Sequence, residues 1–256
     1  RVVTTADLME SGDLADLNVD FLKLNYLEED CKLVANDRVD YHQEIDFIIN
    51  HKHRNNLLVK LAMNQKKNTL MLFNFVEKHG KILLEDLNAV ADKNLKRIFF
   101  IYQKVSGDER EEIRKTLDGA DPTWYDIMFE DDTFIRFKSS DQIKLKSGKT
   151  KFASEITILD QIDQVWLEDK IFNGLNYKTA YKLQKIKKIV KQIGTNILLA
   201  SYGTLSTGVN IKNLHTLILC HPLKAKIRTL QSIGRILRAV DGKGQVKLID
   251  IVDNLC

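Results

Sequence analysis

Apolar runs alternate with segments of helical periodicity along most of the chain. Four short runs, TLMLFN, RIFFIYQ, NILLA and HTLILC, lack the polar alternation of a half-exposed strand. Continuous apolar runs of this length are typical of strands buried on both faces of a parallel sheet. The segment LNVDFLKLNY alternates and predicts one more strand, while amphipathic patterns predict helices at about Val39–Asn50 and Arg54–Asn64. The chain is therefore expected to have an α/β fold, a parallel sheet flanked by helices.

The pattern changes over residues 119–177. FIRF, IKLKSGKTKF and ITILDQIDQVWL alternate, and Ser147-Gly148 predicts a hairpin turn. At residue 178 the α/β pattern resumes, and YKLQKIKKIVKQIG predicts an amphipathic helix closed by Gly194. We therefore predict a domain formed by residues 1–118 and 178–256, with a small β-rich insertion of unassigned role at 119–177.

The tetrapeptide SGKT inside this insertion resembles the end of a phosphate-binding P-loop. A P-loop requires glycine five residues before Gly148, and Ile143 stands there. We therefore expect a lysine-bearing hairpin instead, which could contact DNA or a partner.

Composition narrows the class of protein without identifying it. The 256 residues are 44% hydrophobic and 29% charged, as in an ordinary globular protein, and the formal net charge of +4 is too small to predict nucleic-acid binding. Cys31, Cys220 and Cys256 are far apart in sequence, which favours reduced thiols over a metal site. No signal peptide and no membrane-spanning run is evident. We expect a cytoplasmic protein without a membrane partner.

Two local features each allow a structural and a functional interpretation. In VSGDEREEIRKTL, Ser106 is expected to cap a helix whose first turn offers backbone N–H groups to a phosphate. The alternative is a helix cap with no ligand. His51 and His53 form an isolated HxH pattern, for which a helix junction is expected rather than a metal site.

A segment without charge follows the run NILLA. No charged residue occurs between Gln192 and Ile211, and SYGTLSTGVN stands at the carboxyl end of a predicted strand, where open parallel sheets place ligands. Uncharged hydroxyls and backbone N–H groups can hold a phosphate backbone and release it again. The alternative is a polar surface loop. The candidate residues are Ser201, Gly203, Thr204, Ser206, Thr207 and Gly208.

Beyond HTLILC, the segment AKIRTLQSIGRILR predicts a helix. Arg228, Gln231, Arg235 and Arg238 are spaced three, four and three residues apart, so they share one face. Arginine binds phosphate bidentately, and one that reaches across a domain cleft can stabilise phosphoryl transfer as an arginine finger. The alternative is a solvated basic helix face.

These motifs together resemble the second RecA-like domain of superfamily 2 helicases. SYGTLSTGVNIKNL resembles motif V, QSIGRILR matches the QxxGRxxR pattern of motif VI, TLMLFNFVEKHG resembles motif IV, and VSG with Arg110 resembles motif IVa. With TTADLMESGDL and HRNN, the likeness is greatest to the UvsW-type helicases of T4-like phages. It covers residues 1–118 and 178–256. The resemblance implies a RecA-like fold of the P-loop NTPase type.

The resemblance also implies residue roles. Arg238 would be the arginine finger, with Arg235 near the γ-phosphate and Gln231 coupling the ATP cleft to DNA. Gly208 and Asn210 would lie near the nucleotide. The residues implied at the DNA backbone are Asn74, Ser106, Gly107, Arg110, Thr204, Ser206 and Thr207.

The implied function is an ATP-dependent DNA helicase that remodels branched DNA in recombination, replication and repair. Neither GxxxxGK[ST] nor a DExH-type motif occurs in the chain. We therefore expect a first RecA-like domain upstream in the same polypeptide, and ATP and Mg²⁺ would be bound mainly by that domain. This chain alone is expected to be a monomer with negligible ATPase activity and weak binding to branched DNA or strand junctions. If it is phage-encoded, it would act in the host cytoplasm.

Two other functions fit the same motifs. The domain could be the motor subunit of a restriction or nuclease system. It could also be a nucleic-acid-binding module without catalytic activity.

Overall fold

The computed structural model describes residues 14–34, 40–156, 161–172, 185–206, 211–222, 234 and 244–255. The chain divides into two compact units. The first consists of Arg1–Ala120 and Thr195–Cys256, and the second of Asp121–Gly194.

A six-stranded sheet forms the centre of the first unit. Its order is β1-β11-β10-β2-β9-β3, and all neighbouring strands are parallel. This confirms the predicted parallel sheet. Numbered in chain order, the strands are β1 Leu17–Asn25, β2 Thr69–Phe73, β3 Lys96–Ile101, β9 Thr195–Ser201, β10 Thr216–Leu219 and β11 Val246–Asn254.

Helices cover both faces of this sheet. Because side chains alternate along a strand, Leu70 and Leu72 of β2 belong to one apolar cluster and Met71 and Phe73 to another. All five residues of β2 are buried, as its continuous apolar sequence predicts. The helices are α1 Glu28–Val34, α2 Tyr41–Asn50, α3 Lys52–Met63, α4 Lys81–Ala91 and α5 Gly107–Asp118.

A π-helical turn, Val76–Gly80, leads from β2 into α4. Its last residue packs directly beneath the sheet: a Cβ atom added at Gly80 would lie 2.5 Å from Cε2 of Phe73. Real Cβ atoms do not approach other atoms this closely, so glycine is required here by packing.

The second unit contains a three-stranded antiparallel sheet in the order β5-β4-β8 and a two-stranded hairpin formed by β6 and β7. Its own apolar cluster includes Ile127, Phe129 and Leu167. The predicted turn at Ser147-Gly148 is confirmed, with Gly148 at φ 79°. The elements are β4 Thr123–Phe129, β5 Phe134–Lys138, β6 Gln142–Lys144, β7 Thr150–Phe152, α6 Gln164–Phe172 and β8 Ile186–Ile193.

The prediction of a helix ending at Gly194 is wrong over β8. Ile186, Ile189 and Ile193 fit a helical period, but β8 instead pairs antiparallel with β4, with Ile189 opposite Ile127. β-Branched side chains favour this extended conformation. The second unit therefore ends at Gly194, whose N–H donates to the carbonyl of Pro122, and not at residue 177.

Three smaller expectations can also be compared with the structure. His51 caps α3, as a helix junction requires, and no group of His, Cys, Asp and Glu within the described ranges could hold a metal ion. Cys220 is a free, buried thiol, whereas Cys31 is disulfide-bonded, so the expectation of reduced thiols is wrong for Cys31. Among the described residues, no helix is long and apolar enough to cross a membrane.

Candidate nucleic-acid interface

Three neighbouring strands end together at one edge of the six-stranded sheet. In the register of β2, β9 and β3, Phe73 lies opposite Ser201, and Ala200 lies opposite Ile101. Because the strands are parallel, the segments that follow them leave the sheet at this same carboxyl edge. These segments contain the described residues that were predicted to contact DNA. We call this place the open edge.

Asn74 and Phe75 follow β2 at the open edge. The Asn74 side chain is exposed, so its amide is accessible to a ligand. The Phe75 carbonyl accepts hydrogen bonds from the N–H groups of His79 (3.2 Å) and Gly80 (2.9 Å), which fixes the chain beside Asn74. The Phe75 ring is 36% exposed and packs edge-on against His221 at 5.3 Å.

Phe75 is a candidate contact that its sequence context conceals. Within FNF it looks like a continuation of the apolar strand, and only its exposure at the strand end distinguishes it. An exposed aromatic ring beside a polar amide is a suitable surface for a nucleotide base.

The amino end of α5 lies after β3 and confirms the predicted cap. The Ser106 hydroxyl accepts a hydrogen bond from the Glu109 N–H at 3.2 Å, and Ser106 and Gly107 are both exposed. Asp108 and Glu109 interact favourably with the positive end of the helix dipole, but their negative charge repels a phosphate. A phosphate would therefore have to approach Ser106 and Gly107 rather than the acidic side of this turn.

Arg110 is half-buried and braces the loop between β3 and α5. Its Nη2 donates to the carbonyls of Tyr102 (3.3 Å) and Gln103 (3.0 Å). Its Nε is buried and has no hydrogen-bond partner among the described residues. These bonds give Arg110 a positioning role for Ser106. Its contact with DNA stays a prediction.

The segment after β9 differs from the predicted open loop, because Tyr202–Ser206 forms a short helix, α7. Thr204 is only 3% exposed, and its Oγ1 lies 2.7 Å from Oγ of Ser201. The two hydroxyls therefore bond to each other inside the protein. The contact of Thr204 with DNA stays a prediction.

Ser206 lies in α7, but its side chain is outside the described part. The remaining predicted residues lie outside the described residues altogether; they are Thr207, Gly208, Asn210, Gln231, Arg235 and Arg238.

The other half of the same sheet edge is closed by one buried arginine. Arg54 of α3 is fully buried, and its Nε and Nη2 donate to the two carboxylate oxygens of Asp253 at 2.8 and 3.0 Å. Its Nη1 donates to the carbonyl of Cys220 at 2.7 Å. The Tyr26 hydroxyl donates to the same carboxylate at 2.6 Å. Arg54 thus joins the ends of β1, β11 and β10. We call this place the sealed edge.

Two histidines stand beside the sealed edge in their neutral form. Burial, reinforced by the positive charge of Arg54, lowers the pKa of His79 to about 3 and that of His221 to about 4. Burial also raises the pKa of Tyr26, helped by its hydrogen bond to Asp253. The ion pair thus has neutral neighbours in His79, His221 and Tyr26, and its charges are satisfied within the protein.

No protein-family model matches the chain. The chain is 25% identical over 257 residues to a protein of Enterobacteria phage T4 named ATP-dependent DNA helicase uvsW. The match covers 99% of this chain and 35% of that protein. This chain therefore spans about a third of the relative's length.

Solved structures give a second comparison. The crystal structure of T4 UvsW superposes with a TM-score of 0.52 and 22% identity, covering 94% of this chain and 33% of that one. The ATP-dependent Type ISP restriction-modification enzyme LlaBIII bound to DNA gives a TM-score of 0.46 at 12% identity, which is too low to establish a common fold. The chain has a RecA-like α/β fold and is a homologue of the C-terminal part of a UvsW-type superfamily 2 helicase, the part that forms its second RecA-like domain.

Proposed function

We propose that this chain is the second motor domain of an ATP-dependent DNA helicase or translocase that remodels branched DNA in recombination, replication and repair. The proposal rests on the phage helicase, which matches nearly all of this chain. That helicase is about three times longer, so the activity is assigned to a longer protein. The first RecA-like domain of that longer protein would make most of the contacts to ATP and Mg²⁺. ATP hydrolysis supplies the free energy of the motor, and Mg²⁺ neutralises the charge of the phosphates.

The open edge is the observation that carries the DNA-binding part of this proposal. The side chain of Asn74 and the turn at Ser106 and Gly107 are exposed. They follow β2 and β3, which are separated in the sheet only by β9. All three residues are uncharged and offer hydrogen bonds to phosphate oxygens. Bonds of this kind are individually weak, so the grip can be broken and remade as the protein moves along DNA.

The nucleotide side of the proposal involves the segments after β9 and β10. Arg238 would stabilise the charge of phosphoryl transfer, Arg235 would lie near the γ-phosphate and Gln231 would couple the two sites. Gly208 and Asn210 would lie near the nucleotide. Their roles come from the motif resemblance.

The order of the strands supports a connection between the two ligands. β9 and β10 lead into the segments with the proposed nucleotide residues, and they flank β2, which leads to Asn74. We propose that a shift of either segment on ATP hydrolysis would reach Asn74 through these adjacent strands.

The nucleotide role is tested with Arg238→Ala in the complete protein. We expect DNA-stimulated ATP turnover to fall by about 10³-fold, in line with other arginine fingers, while DNA binding is retained. Arg114→Ala is the control, because Arg114 pairs with Glu111 and Asp118 on the surface of α5. Unchanged turnover in Arg238→Ala would exclude the finger role.

The DNA role is tested with Asn74→Ala. Loss of one hydrogen bond of about 0.5–1.5 kcal/mol should weaken DNA binding roughly 2- to 10-fold, measured by fluorescence anisotropy. Asn94→Ala is the matched control, because Asn94 is also exposed but precedes β3 and so lies at the opposite edge of the sheet. Equal affinities for the two variants would contradict the proposed grip.

A further inference from the structure

The hairpin of the second unit concentrates positive charge at one place. No acidic residue occurs between Gln142 and Ser154, whereas this segment contains four lysines. Lys144 forms an ion pair with Asp163, with its Nζ 3.7 Å from Oδ2 of the carboxylate. The other three are exposed and make no ion pair with any residue that the structure describes; they are Lys146, Lys149 and Lys151.

The hairpin holds these lysines on a fixed backbone. The Leu145 N–H donates to the Lys149 carbonyl at 2.8 Å, and the Gly148 N–H donates back to the Leu145 carbonyl at 2.9 Å. Ile143 and Leu145 are buried at 1% and 6% exposure, which anchors the hairpin to its own unit. Because the backbone is already ordered, binding of a ligand to the hairpin would cost little backbone conformational entropy.

An exposed aromatic ring follows the lysines in β7, on the strand face opposite to that of Lys151. Phe152 is 44% exposed and pairs with Gln142 in the hairpin register. The nearest acidic residue along the chain, Glu155, accepts a hydrogen bond from the Phe152 N–H at 3.1 Å.

The spacing of the lysines favours a regular polyanion. Lys149 and Lys151 are two residues apart, or about 6.6 Å along an extended strand. Phosphates of one DNA strand follow each other at about 3.4 Å along the helix axis, so two lysines can reach phosphates two steps apart.

We propose that the β6–β7 hairpin is a second nucleic-acid contact, separate from the open edge, in which Lys146, Lys149 and Lys151 bind the phosphate backbone. The inference rests on the proposed function in that DNA is the ligand, but it uses none of the residues at the open edge.

The test measures binding of the complete protein to a labelled duplex with a single-stranded tail over a series of KCl concentrations. The logarithm of the binding constant falls with the logarithm of the salt concentration. Loss of three phosphate contacts should make this negative slope shallower by about 2 to 3. The triple variant Lys146→Ala, Lys149→Ala and Lys151→Ala should also bind at least several-fold more weakly at low salt. Thermal melting checks that it stays folded.

The matched control removes the same charge from exposed lysines of the first unit, with Lys60→Ala, Lys66→Ala and Lys67→Ala combined. A non-specific effect of net charge would weaken both triple variants equally, and would overturn the inference. An unchanged salt slope in the hairpin variant would also overturn it, and would leave an acidic protein partner or solvent as the environment of these lysines.

The outcomes separate this inference from the proposed function. Loss of affinity in Asn74→Ala but not in the hairpin variant would support the open edge and reject the hairpin. The reverse result would support the hairpin and reject the grip at the open edge. If the complete protein bound no DNA at low salt, both would fail.

Discussion

The two halves of the sheet edge use polar residues in opposite ways. At the sealed edge, the charges of Arg54 and Asp253 are buried and satisfied by each other, by Tyr26 and by a backbone carbonyl. At the open edge, Asn74 and Ser106 carry no charge and are exposed. A buried charge pair stabilises a fixed geometry, whereas exposed uncharged groups remain accessible to a ligand.

Charge is a poor guide to ligand binding in this sheet. Arg54 has the chemistry of a phosphate-binding residue, but its Nε, Nη1 and Nη2 atoms all donate to protein acceptors. Thr204 likewise has the chemistry of a backbone grip, but its hydroxyl is bonded to Ser201. Accessibility separates the two halves of the edge more clearly than residue type does.

The largest expected effect comes from breaking the sealed edge with Asp253→Ala. This change leaves the Arg54 guanidinium buried without its counter-charge, and such a loss costs about 3–5 kcal/mol of unfolding free energy. Urea denaturation of the chain measures it. The control is Asp20→Ala, because Asp20 forms a half-exposed pair with Lys247 and should cost less than about 1 kcal/mol. Equal losses would mean that the sealed edge is no more important than a surface pair.

Acidification tests the same edge through His221. Its pKa in the folded state is about 4, against 6.5 for the ordinary side chain, so between these values the unfolded chain binds a proton that the folded chain does not. Unfolding free energy should therefore fall as the pH falls from 6.5 towards 4.5. Over this pH interval, the unfolding free energy of His221→Gln should fall by about 2 kcal/mol less than that of the parent.

His53→Gln is the control for acidification, because His53 is exposed on α3. Both variants are measured by urea denaturation at each pH. A pH dependence of His221→Gln equal to that of the parent would show that another group causes the acid sensitivity.

Most of the sheet could be predicted from sequence because burial on both faces produces continuous apolar runs. This holds for β2, β9 and β10, whereas β3 has the same kind of apolar run but is only partly buried at the end of the sheet. It failed for β8, because Ile186–Ile193 fits both a helix and a strand and its lysines are exposed in either case. The deciding contact is with β4, which is distant in sequence.

The site was predictable only where the determinants are local. The Ser106 cap depends on a residue three positions away, so the sequence indicates it. The bond between Arg54 and Asp253 joins residues 199 positions apart, and nothing near Arg54 indicates it. The hydroxyls after β9 look the same in sequence whether they face solvent or each other.

A smaller loss is expected from Gly80→Ala, which disturbs the support beneath the open edge. The new methyl carbon would lie 2.5 Å from Cε2 of Phe73, which is closer than van der Waals contact allows, and overpacking of this kind costs about 1–3 kcal/mol. Gly107→Ala is the control, because a Cβ there meets nothing within 4 Å. If both variants unfold at the same urea concentration as the parent, the ring must move aside at no cost.

The smallest loss of stability is expected at Ser106. Two substitutions of Ser106 separate its role as a helix cap from its role at the open edge. Ser106→Ala removes the cap and should cost about 1 kcal/mol of unfolding free energy. Ser106→Asp keeps an acceptor for the Glu109 N–H and so should retain stability, but it adds a negative charge at the open edge. DNA binding by the complete protein should therefore weaken more in Ser106→Asp than in Ser106→Ala, the reverse of the order in stability. If DNA affinity instead followed stability in the two variants, Ser106 would be a helix cap without contact to the phosphate backbone.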